Sequence, residues 1–186
     1  MRFVIGALGM MLAIPSFAAD TYDVDPVHST VLFSATHFNA SKFFGRFDNT
    51  TGTVMIDEAS PAASKVALTV KTSSVSTWDA KRDEHLKGAD FFNATQFPEI
   101  KFVSKSVAKT GDKWAVTGDF TLHGVTKTIT VDFTKVGEGD DPWGGHRAGW
   151  YAEFNIKRSD YGMNFMVPAI GDDVKLIVSV EGVRKK

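Results

Sequence analysis

The chain has 186 residues, with 21 Lys+Arg against 22 Asp+Glu, a formal charge of −1 and no cysteine. That balance lacks the basic stripe of a nucleic-acid binder, and the missing cysteines exclude disulfide frameworks, thiolate zinc sites, iron–sulfur clusters and cysteine nucleophiles. Hydrophobic residues make up 43% and aromatics 12%, including 15 Phe, enough for the core of one ordinary domain.

The first element is a targeting segment. Arg2 precedes the apolar run Phe3–Ile14, Pro15 breaks that run, and Ser16-Phe17-Ala18 supplies small residues where a signal peptidase reads. The run is too short for a membrane-spanning helix, which needs about 20 residues. Residues 1–18 are therefore expected to be a cleaved signal peptide, with 19–186 as the mature domain and the periplasm as its address. No cysteine follows the cut, so no lipoprotein anchor is expected.

From there the chain alternates with a period of two, the mark of half-buried strands. Tyr22–Asp25 reads as a short opening strand. Val31, Phe33 and Ala35 share one phase of Thr30–His37, and Arg46–Asp57 is strand-like with a blurred phase. Val66, Leu68 and Val70 follow, then Ile100 and Phe102 opposite Lys101, Val103 and Lys105. The cleanest run is Lys113–His123, with Trp114, Val116, Gly118, Phe120 and Leu122 on one side. Lys127–Lys135 offers Ile129, Val131 and Phe133; His146–Lys157 offers Trp150, Ala152, Phe154 and Ile156; Asp173–Glu181 offers Val174, Leu176, Val178 and Val180. Thr110–Asp112, His123-Gly124 and Gly137–Pro142 read as joints.

One interruption is helical. Ser76–Asp79 resembles a helix-start box, Asp79–Lys87 lacks β-branched residues, and Gly88 is a stop signal. Asp83 and Lys87 form an acid-first i,i+4 pair. Trp78, Arg82, His85, Leu86 and Ala89 share one helical face, which aims Arg82 and His85 where the apolar residues point. Either local hydrogen bonds pin them there or they meet a ligand's polar group.

About eight antiparallel strands, each with one apolar face, must close on themselves to cover that face and their edges. The predicted fold is all-β: an eight-stranded antiparallel, up-and-down, lipocalin-like barrel with one short helix inserted. Small inward residues beside bulky ones (Ala35 by Phe33, Gly118 by Phe120, Ala152 by Trp150 and Phe154) suit interdigitated layers or a channel equally, and the pattern leaves both open.

Several ordered motifs carry a family resemblance. They are Asp25-Pro-Val-His28-Ser29, Gly45-Arg-Phe47, Arg82-Asp83-x-His85-Leu86, Asp90-Phe91-Phe92, the Phe97–Ser104 run, Gly118–Thr126 and Arg158-Ser-Asp-Tyr-Gly162. Together they resemble the YceI-like polyisoprenoid-binding family over essentially the whole mature chain. The resemblance implies a barrel with a long internal pocket, an isoprenoid or quinone-type lipid as ligand, no cofactor, and a cytochrome b561-like membrane protein as partner by family analogy. It supplies no catalytic residues.

Strand phase then nominates the wall: Phe33, Ala35, Leu68, Phe102, Phe120, Val131, Trp150, Ala152, Phe154 and Leu176 as lipid-binding residues. No HExxH spacing and no Gly-x-Ser-x-Gly elbow occurs. The expectation is a non-catalytic carrier, with a ligand-free structural or interaction barrel, or an enzyme acting on a lipid, as alternatives. Opposite charges on Arg82 and Asp160 suggest that the helix and the Arg158–Gly162 segment pack together.

Overall fold

The computed structural model describes residues 19–186; the expected signal peptide lies outside them. Its strands are β1 (Asp20–Val24), β2 (Thr30–His37), β3 (Ser41–Phe47), β4 (Thr50–Ile56), β5 (Lys65–Lys71) and β6 (Val75–Ser76). After α1 (Ala80–Lys87) come β7 (Glu99–Thr110), β8 (Lys113–Leu122), β9 (Val125–Asp140), β10 (His146–Lys157) and β11 (Asp173–Arg184). All pairings between them are antiparallel.

Eight strands form the ring, in the order β1-β4-β5-β7-β8-β9-β10-β11, and β11 closes back on β1 through Tyr22↔Arg184 to Val24↔Gly182. The other three continue members of that ring past a break. β1 runs into β2 across 25–29, β4 continues β3 beyond Asp48-Asn49, and β5 runs into β6 across the 3-10 turn Thr72–Ser74. β2, β3 and β6 extend one end of the barrel beside the first half of β11, with Lys175↔Ser34 to Ser179↔Thr30 in register. At that end β6 has no strand partner on its far side, because β7 pairs only with β5 and β8. The helix and the 88–98 segment fill the resulting gap in sequence between β6 and β7.

Alternation builds the ring as expected. Val66, Leu68 and Val70 are buried in β5, and Trp114, Val116, Phe120 and Leu122 in β8. Two close approaches need glycine. A Cβ on Gly45 would stand 2.3 Å from the Phe33 ring, and one on Gly118 would stand 2.8 Å from the Phe102 ring and 2.5 Å from the Val103 carbonyl. Gly118 therefore leaves no channel beside Phe120, because the Phe102 ring lies over it.

The helix departs from expectation in its details. Asp79 is the cap, accepting from the Arg82 amide at 2.9 Å. Trp78 precedes the helix with φ +63° and is 67% exposed, so it does not share the buried face of Leu86. Asp83 accepts from the backbone amide and hydroxyl of Thr77, and Lys87 pairs with Glu84 instead. Gly137–Asp140 continues β9, and the joint is the Asp141–Gly145 turn.

Candidate functional site

The inward faces of the strands do not meet across the whole barrel. Around its middle and toward the β2–β3 end they leave about 1080 Å³ of unfilled space, counting the part open to solvent. Phe33 and Ala35 line it from β2, Leu68 from β5 and Phe102 from β7. Phe120, Val131, Phe154 and Leu176 complete the predicted contribution from β8, β9, β10 and β11. Thus eight of the ten nominated residues meet at one cavity.

The other two lie elsewhere. Trp150 borders a smaller space of about 370 Å³ with Trp114, Val116 and Val180, toward the closed end; Leu68 and Phe133 are common to both cavities. Ala152 is 2% exposed and is not among the residues lining either space. At Trp150 two large rings, Tyr22 and the indole, meet edge to face at 5.3 Å, which fills the closed end.

Sequence periodicity missed a second set of walls. Phe43 comes from the β2–β3 hairpin, Leu86 from the helix, and Phe91 and Phe92 from the segment that follows it. Phe92 packs edge-on to Phe33 and Phe47 at 6.1 and 5.2 Å, so the irregular segment finishes the aromatic lining. The Asp90-Phe91-Phe92 motif was the available signal.

Charge enters this lining at Lys101 and Arg158. Arg158 is 4% exposed, yet no carboxylate among the described residues lies within 4 Å of it. Its guanidinium donates to four carbonyls, those of Met163 (2.7 Å), Ile170 (2.8 Å), Phe165 (2.9 Å) and Gly171 (3.0 Å). Burial depresses its pKa against the pull of Asp172. The chain from 163 to 171 is wrapped around this side chain, whose job is to satisfy carbonyls that would otherwise be orphaned. Arg82 and Asp160 do not pair: Asp160 meets Lys127 at 3.0 Å, while Arg82 holds Thr77 and lies over the Phe43 ring.

A second, outer pocket adjoins the cavity through Phe43, Leu86, Phe91 and Ile170. His37, Ser41, Arg82 and His85 supply its polar atoms.

The histidines do not assemble a reaction centre. His85 bonds Asp90 (3.0 Å), His123 bonds the Tyr161 carbonyl (3.1 Å), and His146 bonds Asp140 (2.7 Å). Asp25, His28 and Glu181 come close enough for a metal, but Arg147 already bridges both carboxylates at 2.7 and 2.6 Å. Burial opposes ionisation of Asp25; the bonds from Arg147, His28 and the Val27 amide outweigh it and hold its carboxyl well below the usual range. This is an ion-pair cluster fastening the β1–β2 break to β11.

Comparison with known proteins agrees with the architecture. The YceI-like domain matches residues 22–182. Protein YceI of Shigella flexneri is 44% identical over 179 residues, covering 95% of this chain and 94% of that one. The crystal structure of Burkholderia cenocepacia BcnA superposes with a TM-score of 0.77 at 24% identity, over 85% of this chain and 98% of that one. A polyisoprenoid binding domain from Saccharophagus degradans superposes at 0.69 with 17% identity, over 88% and 98%. With the domain matched almost from β1 to the end of β11 and a relative this similar along nearly its whole length, the chain belongs to the YceI-like family.

Proposed function

We propose that this chain is a non-catalytic carrier that holds the chain of an isoprenoid or quinone-type amphiphile in its barrel, in the periplasm, after removal of residues 1–18. One observation carries the reading: a cavity walled almost entirely by apolar side chains, Phe33, Phe102, Phe120, Phe154 and their aliphatic neighbours. Such a space suits a ligand whose affinity comes from leaving water, at about 0.8 kcal/mol per buried methylene. The likeness to the Saccharophagus degradans polyisoprenoid binding domain supports a prenyl chain over other apolar ligands. By family analogy, a cytochrome b561-like membrane protein is the proposed partner.

The test is organic extraction of the purified protein followed by mass spectrometry. A stoichiometric isoprenoid is expected. A folded protein that yields no lipid after expression in its own host would leave a structural barrel, and turnover of an added lipid would make it an enzyme. For the address, N-terminal sequencing of the periplasmic fraction should read Ala19. Intact Met1 on cytoplasmic protein would overturn export.

A further inference from the structure

We propose that the outer pocket is the head-group site of the carrier and that it takes an anionic head, a phosphate or carboxylate, with Arg82 as the counter-charge. This rests on the carrier reading above and adds to it the end at which the polar group sits and the sign of its charge.

The two ends of the interior offer opposite chemistry. The small cavity at the closed end is lined by aliphatic side chains, Phe133, Trp114 and Trp150, with no charged residue among them. The outer pocket is lined by His37, Ser41, Arg82 and His85, and no carboxylate is among its lining residues. A chain threaded through the shared walls Phe43, Leu86, Phe91 and Ile170 would leave its head among these donors.

Arg82 is held ready without being used up. Its Nε donates to the Thr77 hydroxyl at 2.8 Å and its Nη2 to the Thr77 carbonyl at 2.6 Å, while the Phe43 ring supports the guanidinium at 5.0 Å. Three of the five N–H groups an arginine carries have no protein acceptor among the described residues, and no carboxylate there lies within 4 Å. The nearest acids are engaged elsewhere. Asp83 accepts twice from Thr77, and Asp79 caps the helix. Asp90 takes His85. Arg158 is the contrast: its guanidinium is spent on four carbonyls. A planar cation fixed on one edge and open on the other suits a bidentate oxyanion.

The experiment is calorimetric titration of the delipidated protein with matched pairs: geranylgeranyl phosphate against geranylgeraniol, and palmitate against hexadecanol. The anion of each pair should bind about tenfold tighter than its alcohol, the scale of one charge-assisted contact. Arg82→Gln should bring both ratios close to one, with the larger loss falling on the anion of each pair, and Arg82→Lys should recover part of the preference. A larger gain for the phosphate pair assigns a prenyl phosphate, and a larger gain for the carboxylate pair a fatty acid. Equal affinity for anion and alcohol in the unaltered protein overturns the head-group site alone. So does an Arg82→Gln variant that weakens both in parallel, the result of a merely structural arginine. Failure of every probe to bind overturns the carrier reading along with it. A cooperative melting transition well above the assay temperature for Arg82→Gln and Arg82→Lys confirms that folded states are being compared.

Discussion

The closed end of the barrel and the β2–β3 end are built from the same alternating strands but are held together differently. At the closed end the ring is complete, Trp114, Trp150 and Tyr22 fill it, and order comes from packing. At the other end β6 has no partner on one side, the strands stand around an open space, and order comes from polar staples: Thr77 between Arg82 and Asp83, and Arg158 among its carbonyls. An apolar hollow cannot be stabilised by filling it. Hydrogen bonds there do the ordering that side-chain interdigitation does at the closed end.

The comparison is broken most severely at Arg158. Replacement by Met leaves four carbonyls without donors, and the expected loss is about 3 kcal/mol or more, since each buried group left unsatisfied costs about 1–3 kcal/mol. Chemical denaturation measures it. A loss under about 1 kcal/mol would mean that the 163–171 segment is ordered by something else.

Small-to-large changes separate the two ends next. Ala152→Phe forces a ring into a packed strand and should cost about 1–3 kcal/mol. Ala35→Leu adds bulk at the cavity wall, so the empty protein should melt within a few degrees of the parent while recovering much less lipid. Denaturation and extracted lipid per protein are measured on both variants. Equal destabilisation by both would mean that the cavity is as tightly packed as the closed end.

The smallest effect concerns pH. The Asp25 carboxyl is depressed in the folded state, so its contribution is fully present above its unfolded pKa of about 3.9 and is lost as pH falls through the lower folded value. Stability should therefore drop as the solution is acidified below about pH 4, and Arg147→Met should flatten that part of the profile. A profile unchanged by the substitution would show that the cluster fastening the β1–β2 break is energetically idle.

Where the sequence was legible, a side chain's neighbours two positions away decided its fate. In β8 every other residue from Trp114 to Leu122 faces inward, and the period alone says so. In β7 the period-two pattern ends at Lys105 because a register shift between Ser104 and Ser106 inverts the phase, and Val107 then becomes the inward residue. A similar shift opposite Gly149/Trp150 let glycines of β9 pass for a joint. The breaks that divide β1 from β2 and β3 from β4 are set by tertiary pairing with β11 and β5, which no local pattern encodes. Phe43 shares the inward phase of β3 with Gly45 and Phe47, a short period hidden by the charges around it, while Phe91 and Phe92 come from an irregular segment, where no period exists to read. Arg158 looks like any surface charge until the chain thirteen residues on folds over it.

The closure of the ring also has a kinetic consequence. The strand that opens the described chain finds its second ring partner in the strand that ends it, through Tyr22↔Arg184, Asp23↔Val183 and Val24↔Gly182. Most other neighbours in the ring form by local zipping of hairpins, and β5 meets β7 across the intervening helix, whereas this seam must search across the whole chain and meets the full entropy of closing that loop. Hairpins from β7 to β11 can assemble while β1 is still unpaired on that side. Until β11 pairs with β1, the ring stays an open, curled sheet whose apolar interior meets water.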